Sequence, residues 1–154
     1  MAVLASGCTA ERATTEPPLV SLQESQRDAT QAMVNCLKDA GWDVALDPVT
    51  GSTDIELPED QFDSYVKART TCVEAVETQF PVSPLTDAQM REIYDYEVWL
   101  SECLRGEGVT VPEIPSSQAF IDAYRGGEPW LSYSFVGDVN EETYRSLMLA
   151  CPQL

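Results

Sequence analysis

The residues with the most constrained chemistry are the cysteines, because the chain of 154 residues has five of them and no histidine. No two cysteines have the Cys-x-x-Cys spacing of thiol redox proteins, and without histidine the usual zinc ligand sets reduce to scattered thiols. We therefore predict cysteines with a structural role, and neither a metal nor another cofactor. The missing histidine also removes Ser-His-Asp and Cys-His catalysis and the commonest general base. The sequence accordingly predicts no catalytic residue, and we do not expect an enzyme.

The acidic residues exclude some partners but define no reaction. Twenty-six Asp and Glu against nine Lys and Arg give a net charge of -17, and a field of that sign repels nucleic acids and anionic lipid headgroups. This acidity is typical of a soluble, surface-exposed domain, and attraction of a basic partner or of divalent cations is the alternative. Paired carboxylates could still hydrolyse a glycoside, but among 26 acids any two can be chosen as a pair. A carboxylate-based cell-wall hydrolase therefore stays the alternative function.

The N-terminal segment reads Leu4-Ala5-Ser6-Gly7-Cys8. It resembles the lipobox of bacterial lipoproteins, in which a run of small residues is cut just before a cysteine that carries the lipid. The resemblance implies that residues 1–8 are the remnant of a signal peptide whose true start lies upstream, with Cys8 as the lipidation site. Residues 9–20, rich in Thr, Glu, Ala and Pro, then form a flexible tether. A diacylated Cys8 would hold the protein stably at the outer face of the cell membrane.

A second pattern, Cys-Leu-basic-x-x-Gly-x-x-Val, occurs twice, over residues 36–44 and 103–111. Each copy is followed by a helix with an aromatic pair and then by one more cysteine, so we predict two helix-link-helix units. With Cys8 set aside, the four remaining cysteines allow three connectivities, and the matched halves favour pairing inside each unit. We therefore predict two disulfides in an oxidising compartment, which join Cys36 to Cys72 and Cys103 to Cys151.

Together, the lipobox and the two Cys-Leu-x-x-x-Gly elements resemble the small extracytoplasmic lipoproteins of high-GC Gram-positive bacteria. Those proteins combine a lipobox with a compact, cysteine-stapled helical domain, and many have no assigned activity. The resemblance implies a location outside the cytoplasm and a disulfide-linked helical fold, but no substrate.

Hydrophobic periodicity predicts a mainly α fold of about five helices, with a short β-hairpin at about 42–57, in a single domain over 21–154. Capping boxes are expected at the starts of the first, third and last helices, at Ser21 with Glu24, Thr86 with Gln89, and Asp138 with Glu141. The second helix should bury an apolar stripe that consists of Phe62, Tyr65, Val66, Cys72, Val73 and Val76. On the third helix, Glu97 and Glu102 are expected on the side away from the core.

Two segments are candidate sites. The acidic turn Asp43, Asp47, Asp54 and Glu56 could hold calcium, but it lacks the ligand spacing of an EF-hand loop, and charges at a hairpin edge explain it more simply. The loop over about 125–137 is the better candidate, since it is bordered by glycine and holds side chains that suit a peptide or glycan surface: Arg125, Trp130, Tyr133 and Phe135. The alternative is that Trp130 and Phe135 only fill the gap between the fourth and fifth helices.

The function predicted from these features is a lipid-anchored, extracytoplasmic binding or accessory module. Its partner would be an envelope protein or a cell-wall polymer, and its only attachment to the membrane would be the lipid on Cys8. A two-lobed solute-capturing protein does not fit a chain of this size.

Overall fold

A computed structural model of the chain describes residue 17 and residues 20–154. Cys8, and all of the predicted tether except Pro17 and Val20, lie outside these residues. The described part is mainly α-helical, as predicted, with a two-stranded hairpin. Its elements are α1 (Leu22–Asp39), β1 (Ala45–Leu46), β2 (Thr53–Asp54), α2 (Phe62–Gln79), α3 (Asp87–Gly106), α4 (Ser117–Arg125) and α5 (Glu141–Ala150). Within the described residues, no helix has the length and hydropathy needed to cross a membrane.

The hairpin between α1 and α2 is confirmed, but its strands are shorter than the predicted 42–57. The strands are antiparallel, with Ala45 opposite Asp54 and Leu46 opposite Thr53. The turn is built on Asp47, whose side chain accepts hydrogen bonds from the backbone N–H groups of Val49 (2.7 Å) and Thr50 (3.1 Å). These bonds satisfy the turn's own donors, as short acidic side chains commonly do.

The predicted disulfide pairing is confirmed. Cys36 is bonded to Cys72 and Cys103 to Cys151, with Cα–Cα distances of 5.7 and 5.8 Å, both in the usual range for a disulfide. The two units nevertheless differ in where the bridge falls. The first disulfide joins α1 directly to α2, whereas the second joins the end of α3 to the residue that follows α5 and leaves α4 between them.

The repeated sequence pattern forms the same helix end twice. Gly41 and Gly108 have φ angles of 90° and 89°, which glycine adopts without strain. In both copies the glycine N–H bonds back to the basic residue, and the next N–H bonds to the carbonyl of Leu37 or Leu104, at 3.0 Å each. This is the Schellman arrangement, which satisfies the last carbonyls of α1 and α3.

The buried apolar side chains fall into two clusters. One lies among α1, the hairpin and α2 and consists of Val34, Leu37, Val44 and Cys72. The larger one lies among α3, α4 and α5, with Tyr96, Leu104, Phe120 and Cys151 among its most buried members. Val20 also belongs to the larger cluster, and Leu22 packs against it, so the start of α1 reaches across to the second unit.

Two of the three predicted N-caps are wrong, those of α1 and α5. Ser21 does precede α1, but its backbone is already helical (φ -59°, ψ -22°) and its side chain caps nothing. Its N–H and its hydroxyl instead donate to Glu92 Oε2 on α3, at 2.9 and 2.6 Å. The cap of α5 is Asn140 rather than Asp138, because the Asn140 side chain accepts the Thr143 N–H (2.8 Å). The capping box of Thr86 with Gln89 is confirmed.

The predicted burial of the α2 stripe is also wrong in part. Phe62 and Val66 are 57% and 44% exposed, and Cys72 is the buried member of the stripe. The reason is that α2 packs on α1 around the disulfide at Cys72, while the face that holds Phe62 and Val66 stays exposed to solvent.

Candidate functional site

A cavity of about 390 Å³ lies where the two units meet, between the start of α1, the middle of α3, the segment after Trp130 and the last residues of the chain. Its volume is within the range of roughly 300–1,000 Å³ that is typical of small-molecule sites. The lining is largely apolar, with a few polar groups, and consists of Val20, Leu22, Gln26, Ile93, Glu97, Leu100, Tyr124, Leu131, Tyr133, Ser134, Gln153 and Leu154.

Glu97 is a buried carboxylate in this wall, only 6% exposed, so the prediction that it faces away from the core is wrong. It stands four residues after Ile93 and three before Leu100, which is the spacing of one helix face. That spacing is the sequence signal that could have placed it with the core residues. An acidic side chain on a core face is uncommon, and the reason for its burial is a partner that lies elsewhere in the chain.

The partner of Glu97 is Ser132, on a short 3₁₀ turn over Ser132–Phe135 that packs against α3. The Ser132 N–H donates to Glu97 Oε2 at 2.8 Å, and the Ser132 hydroxyl lies 2.5 Å from the same oxygen. Burial raises the pKa of Glu97, and the two hydrogen bonds from Ser132 oppose that rise. Desolvation is the larger effect, as expected for a carboxyl group in apolar surroundings.

The chain end that closes the cavity is held by two tyrosines and the second disulfide. The Tyr133 hydroxyl donates to the carbonyl oxygen of Cys151 at 2.7 Å, and the Tyr96 hydroxyl donates to that of Pro152 at 2.9 Å. Burial is the main cause of a raised pKa for both phenols. Cys151 and Pro152 are therefore held by covalent and hydrogen bonds, directly before Gln153 and Leu154, which line the cavity.

The four predicted loop residues do not form one surface. Tyr133 lines the cavity, whereas Arg125 forms an exposed ion pair with Asp87 at the start of α3. Trp130 and Phe135 contact each other, with ring centroids 5.4 Å apart. Trp130 also packs against the larger core cluster, and Phe135 is 36% exposed. The cavity, with Glu97 and Tyr133, is thus the better defined candidate site.

In the acidic hairpin turn, the Asp47 carboxylate is engaged in bonds within the protein. Besides its two backbone hydrogen bonds, Asp47 forms an ion pair with Arg145 of α5. The hydrogen bond from Arg145 is the main reason that the pKa of Asp47 is lowered, followed by the backbone bonds from Val49 and Thr50. Across residue 17 and residues 20–154, no group of three or more His, Cys, Asp or Glu side chains could hold a metal ion.

The fold and the site define a small, mainly α protein with two disulfides and a cavity at the meeting of its two units. No protein-family model, no curated protein and no solved structure matches the chain.

Proposed function

We propose that this protein is a membrane-anchored, extracytoplasmic module that binds an envelope protein or a cell-wall polymer. The cavity beside Glu97 is the observation that carries the binding role. Its walls come from α1, α3 and the 3₁₀ turn, and its end is fixed by the disulfide of Cys151. A site with walls held in this way is largely formed before the ligand arrives, which lowers the entropic cost of binding.

The proposed location is supported by the state of the cysteines. Disulfides persist in oxidising compartments outside the cytoplasm, and the two pairs use Cys36, Cys72, Cys103 and Cys151. Of the five cysteines in the sequence, this leaves Cys8 outside the pairs, as a lipid attachment site requires.

The alternative function, a carboxylate-based hydrolase, gains no support from the site. Glycoside hydrolysis of that kind needs two carboxyl side chains that flank the scissile bond. Among the described residues that line the cavity, Glu97 is the one acidic side chain.

The anchoring is tested by expression of the chain behind a bacterial lipoprotein export signal, in a bacterium that lipidates proteins. The wild-type chain should partition into detergent, with a mass that includes a diacylglyceryl group, whereas Cys8→Ser should be recovered in the aqueous phase. Partitioning of both proteins into the aqueous phase, at the unmodified mass, would contradict the anchor.

The binding role is tested by NMR titration of the ¹⁵N-labelled chain with soluble cell-wall fragments and with purified envelope proteins. We expect signals from the cavity lining to shift. Leu131→Trp, which puts a larger side chain into the cavity lining, should weaken the effect, and Leu149→Trp, at an exposed position on α5 (67%), should not. Equal binding by the two variants would contradict a role for the cavity.

A further inference from the structure

The cavity contains a carboxylate that has no counter-ion among the described residues. Glu97 is 6% exposed, and neither ion pair formed between described residues involves it. Ile93 and Leu100, which flank it on the same helix face, and Val20 make the surrounding wall apolar. A charge in such a position is costly unless a partner compensates it.

The two oxygens of this carboxylate differ in what they bind. Both hydrogen bonds from Ser132 end on Oε2, and no group in residues 20–154 donates to Oε1. Among those residues no fully buried side-chain oxygen lacks a partner, so Oε1 keeps some accessible surface although Glu97 as a whole is buried. Since Glu97 lines the cavity, Oε1 is the acceptor that a ligand would reach.

The kind of cation follows from this arrangement. A guanidinium group binds best with two parallel hydrogen bonds to both carboxylate oxygens, and Oε2 is already occupied. An ammonium group needs one oxygen and has further donors for other acceptors. Tyr133 and Ser134 also line the cavity, and because their hydroxyls donate to the carbonyls of Cys151 and Leu131, the hydroxyl oxygens keep lone pairs that can accept.

We propose that the cavity binds an ammonium group at the end of a short apolar chain, with Glu97 as its counter-ion. This rests on the binding role proposed above and adds the class of ligand. The apolar part would contact Leu22, Leu100 and Leu131, and the net charge of -17 would draw cations to the protein. The same chemistry is offered by a free alkylamine and by the lysine side chain of a partner protein.

The test is an NMR titration of the ¹⁵N-labelled full chain at pH 7 with n-hexylamine, n-hexanol and n-hexanoate. We expect the ammonium probe to shift the cavity signals at the lowest concentration. Glu97→Gln, which keeps an acceptor for Ser132, should weaken its binding by about 10- to 100-fold, the loss expected for a hydrogen bond to a charged group. Glu102→Gln, on the exposed side of the same helix, is the matched control and should bind as the wild type does. Nα-acetyl-lysine amide, whose ε-ammonium group is free, represents the side chain of a partner protein. Its affinity relative to that of hexylamine distinguishes a protein lysine from a free alkylamine as the ligand.

The outcomes separate this inference from the function on which it rests. If hexanol binds as tightly as hexylamine, or if Glu97→Gln binds hexylamine as tightly as the wild type, the inferred ligand class is wrong while the cavity remains a binding site. If neither probe shifts a cavity signal while cell-wall fragments or envelope proteins still do, the inferred ligand class is wrong and the binding role stands. If none of these ligands shifts a cavity signal, both fail.

Discussion

Glu97 combines a structural role with an electrostatic cost. Its carboxylate satisfies the N–H and hydroxyl of Ser132, which is itself fully buried, so the side chain cannot be removed without loss. At the same time, burial raises its pKa above the ordinary value of 4.5. The two effects can be separated, because an amide keeps the acceptor and removes the charge.

We expect Glu97→Ala to lower the free energy of unfolding by about 1–3 kcal/mol, the cost of buried donors left without an acceptor. Glu97→Gln should be at least as stable as the wild type at pH 7. Because the pKa of Glu97 is raised in the folded state, its contribution to stability is present below pH 4.5 and is lost as the pH rises through the raised value.

Urea unfolding from pH 3 to pH 8 measures this effect. The stability of the wild type relative to Glu97→Gln should fall as the pH increases, and a constant difference would show that Glu97 does not titrate with a raised pKa. Glu102→Gln, at an exposed position, provides the control for the charge change alone.

The two Schellman helix ends show which part of the repeated pattern is structural. At Gly41 and Gly108 the positive φ is required, so Gly→Ala should destabilise the protein by about 1–2 kcal/mol at either position. Gly106, two residues earlier than Gly108, is the last residue of α3, and a Cβ added there would meet no other atom within 4 Å. There Gly→Ala should be neutral or should stabilise by up to about 1 kcal/mol. Thermal unfolding followed by circular dichroism compares the three variants, and an equal effect at all three would contradict the assigned caps.

Substitutions on the exposed face of α2 should affect stability much less than substitutions in the buried core. Phe62 is 57% exposed, whereas Phe120 of α4 is fully buried in the larger cluster. Phe62→Ser should therefore change the free energy of unfolding by less than about 0.5 kcal/mol, whereas Phe120→Ala should cost about 3–5 kcal/mol. Denaturant unfolding checks both, and a loss of stability in Phe62→Ser as large as that in Phe120→Ala would contradict the exposure of this face of α2.

Features that depend on neighbouring residues in the sequence could be predicted, whereas most contacts between distant parts of the chain could not. The five helices, the hairpin and the Thr86 capping box depend on residues near one another in the chain, and these were predicted. The hydroxyl of Ser21 has the chemistry of a cap, but a carboxylate 71 residues away accepts it instead. The α2 stripe was predicted to be buried because periodicity identifies an apolar face, yet it cannot say whether another element covers that face.

The candidate site was only partly predictable for the same reason. The sequence predicts Tyr133 as one of several aromatic residues in a candidate binding loop, and Tyr133 does line the cavity. Glu97 was missed because an acidic residue is normally placed on the solvent side. Its burial depends on Ser132, 35 residues further on, and no local pattern reveals that contact. The disulfides were predictable over long separations only because the Cys-Leu-x-x-x-Gly pattern occurs twice.

Residues 20–154 form two units, each crosslinked by one disulfide, and polar links join the two units. Asp47 of the hairpin turn pairs with Arg145 of α5, and Ser21 bonds to Glu92 of α3. Hydrogen bonds lower the pKa of both carboxyls, so these links stabilise the fold above the ordinary pKa values and are lost as the pH falls through the lowered ones. The cavity lies at the same junction, and most of its lining residues belong to the second unit.

We expect the two disulfides to contribute about equally to the free energy of unfolding. The bridges span 36 and 48 residues in sequence, and the chain-entropy treatment separates loops of these lengths by only about 0.3 kcal/mol. We expect the double variants Cys36→Ser with Cys72→Ser, and Cys103→Ser with Cys151→Ser, each to lose roughly 2–5 kcal/mol in the free energy of unfolding.

The two double variants should differ in which part of the protein becomes less well ordered. Removal of the Cys103–Cys151 bridge frees the chain end that lines the cavity, so amide exchange should rise at Gln153 and Leu154 and hexylamine binding should weaken. Removal of the Cys36–Cys72 bridge, which lies in the other cluster, should leave both unchanged under conditions where the protein remains folded. Cys8→Ser in the unlipidated chain is the control for loss of a thiol, and its melting temperature should equal that of the wild type. Equal exchange at the chain end in both double variants would show that the second disulfide does not hold the cavity in place.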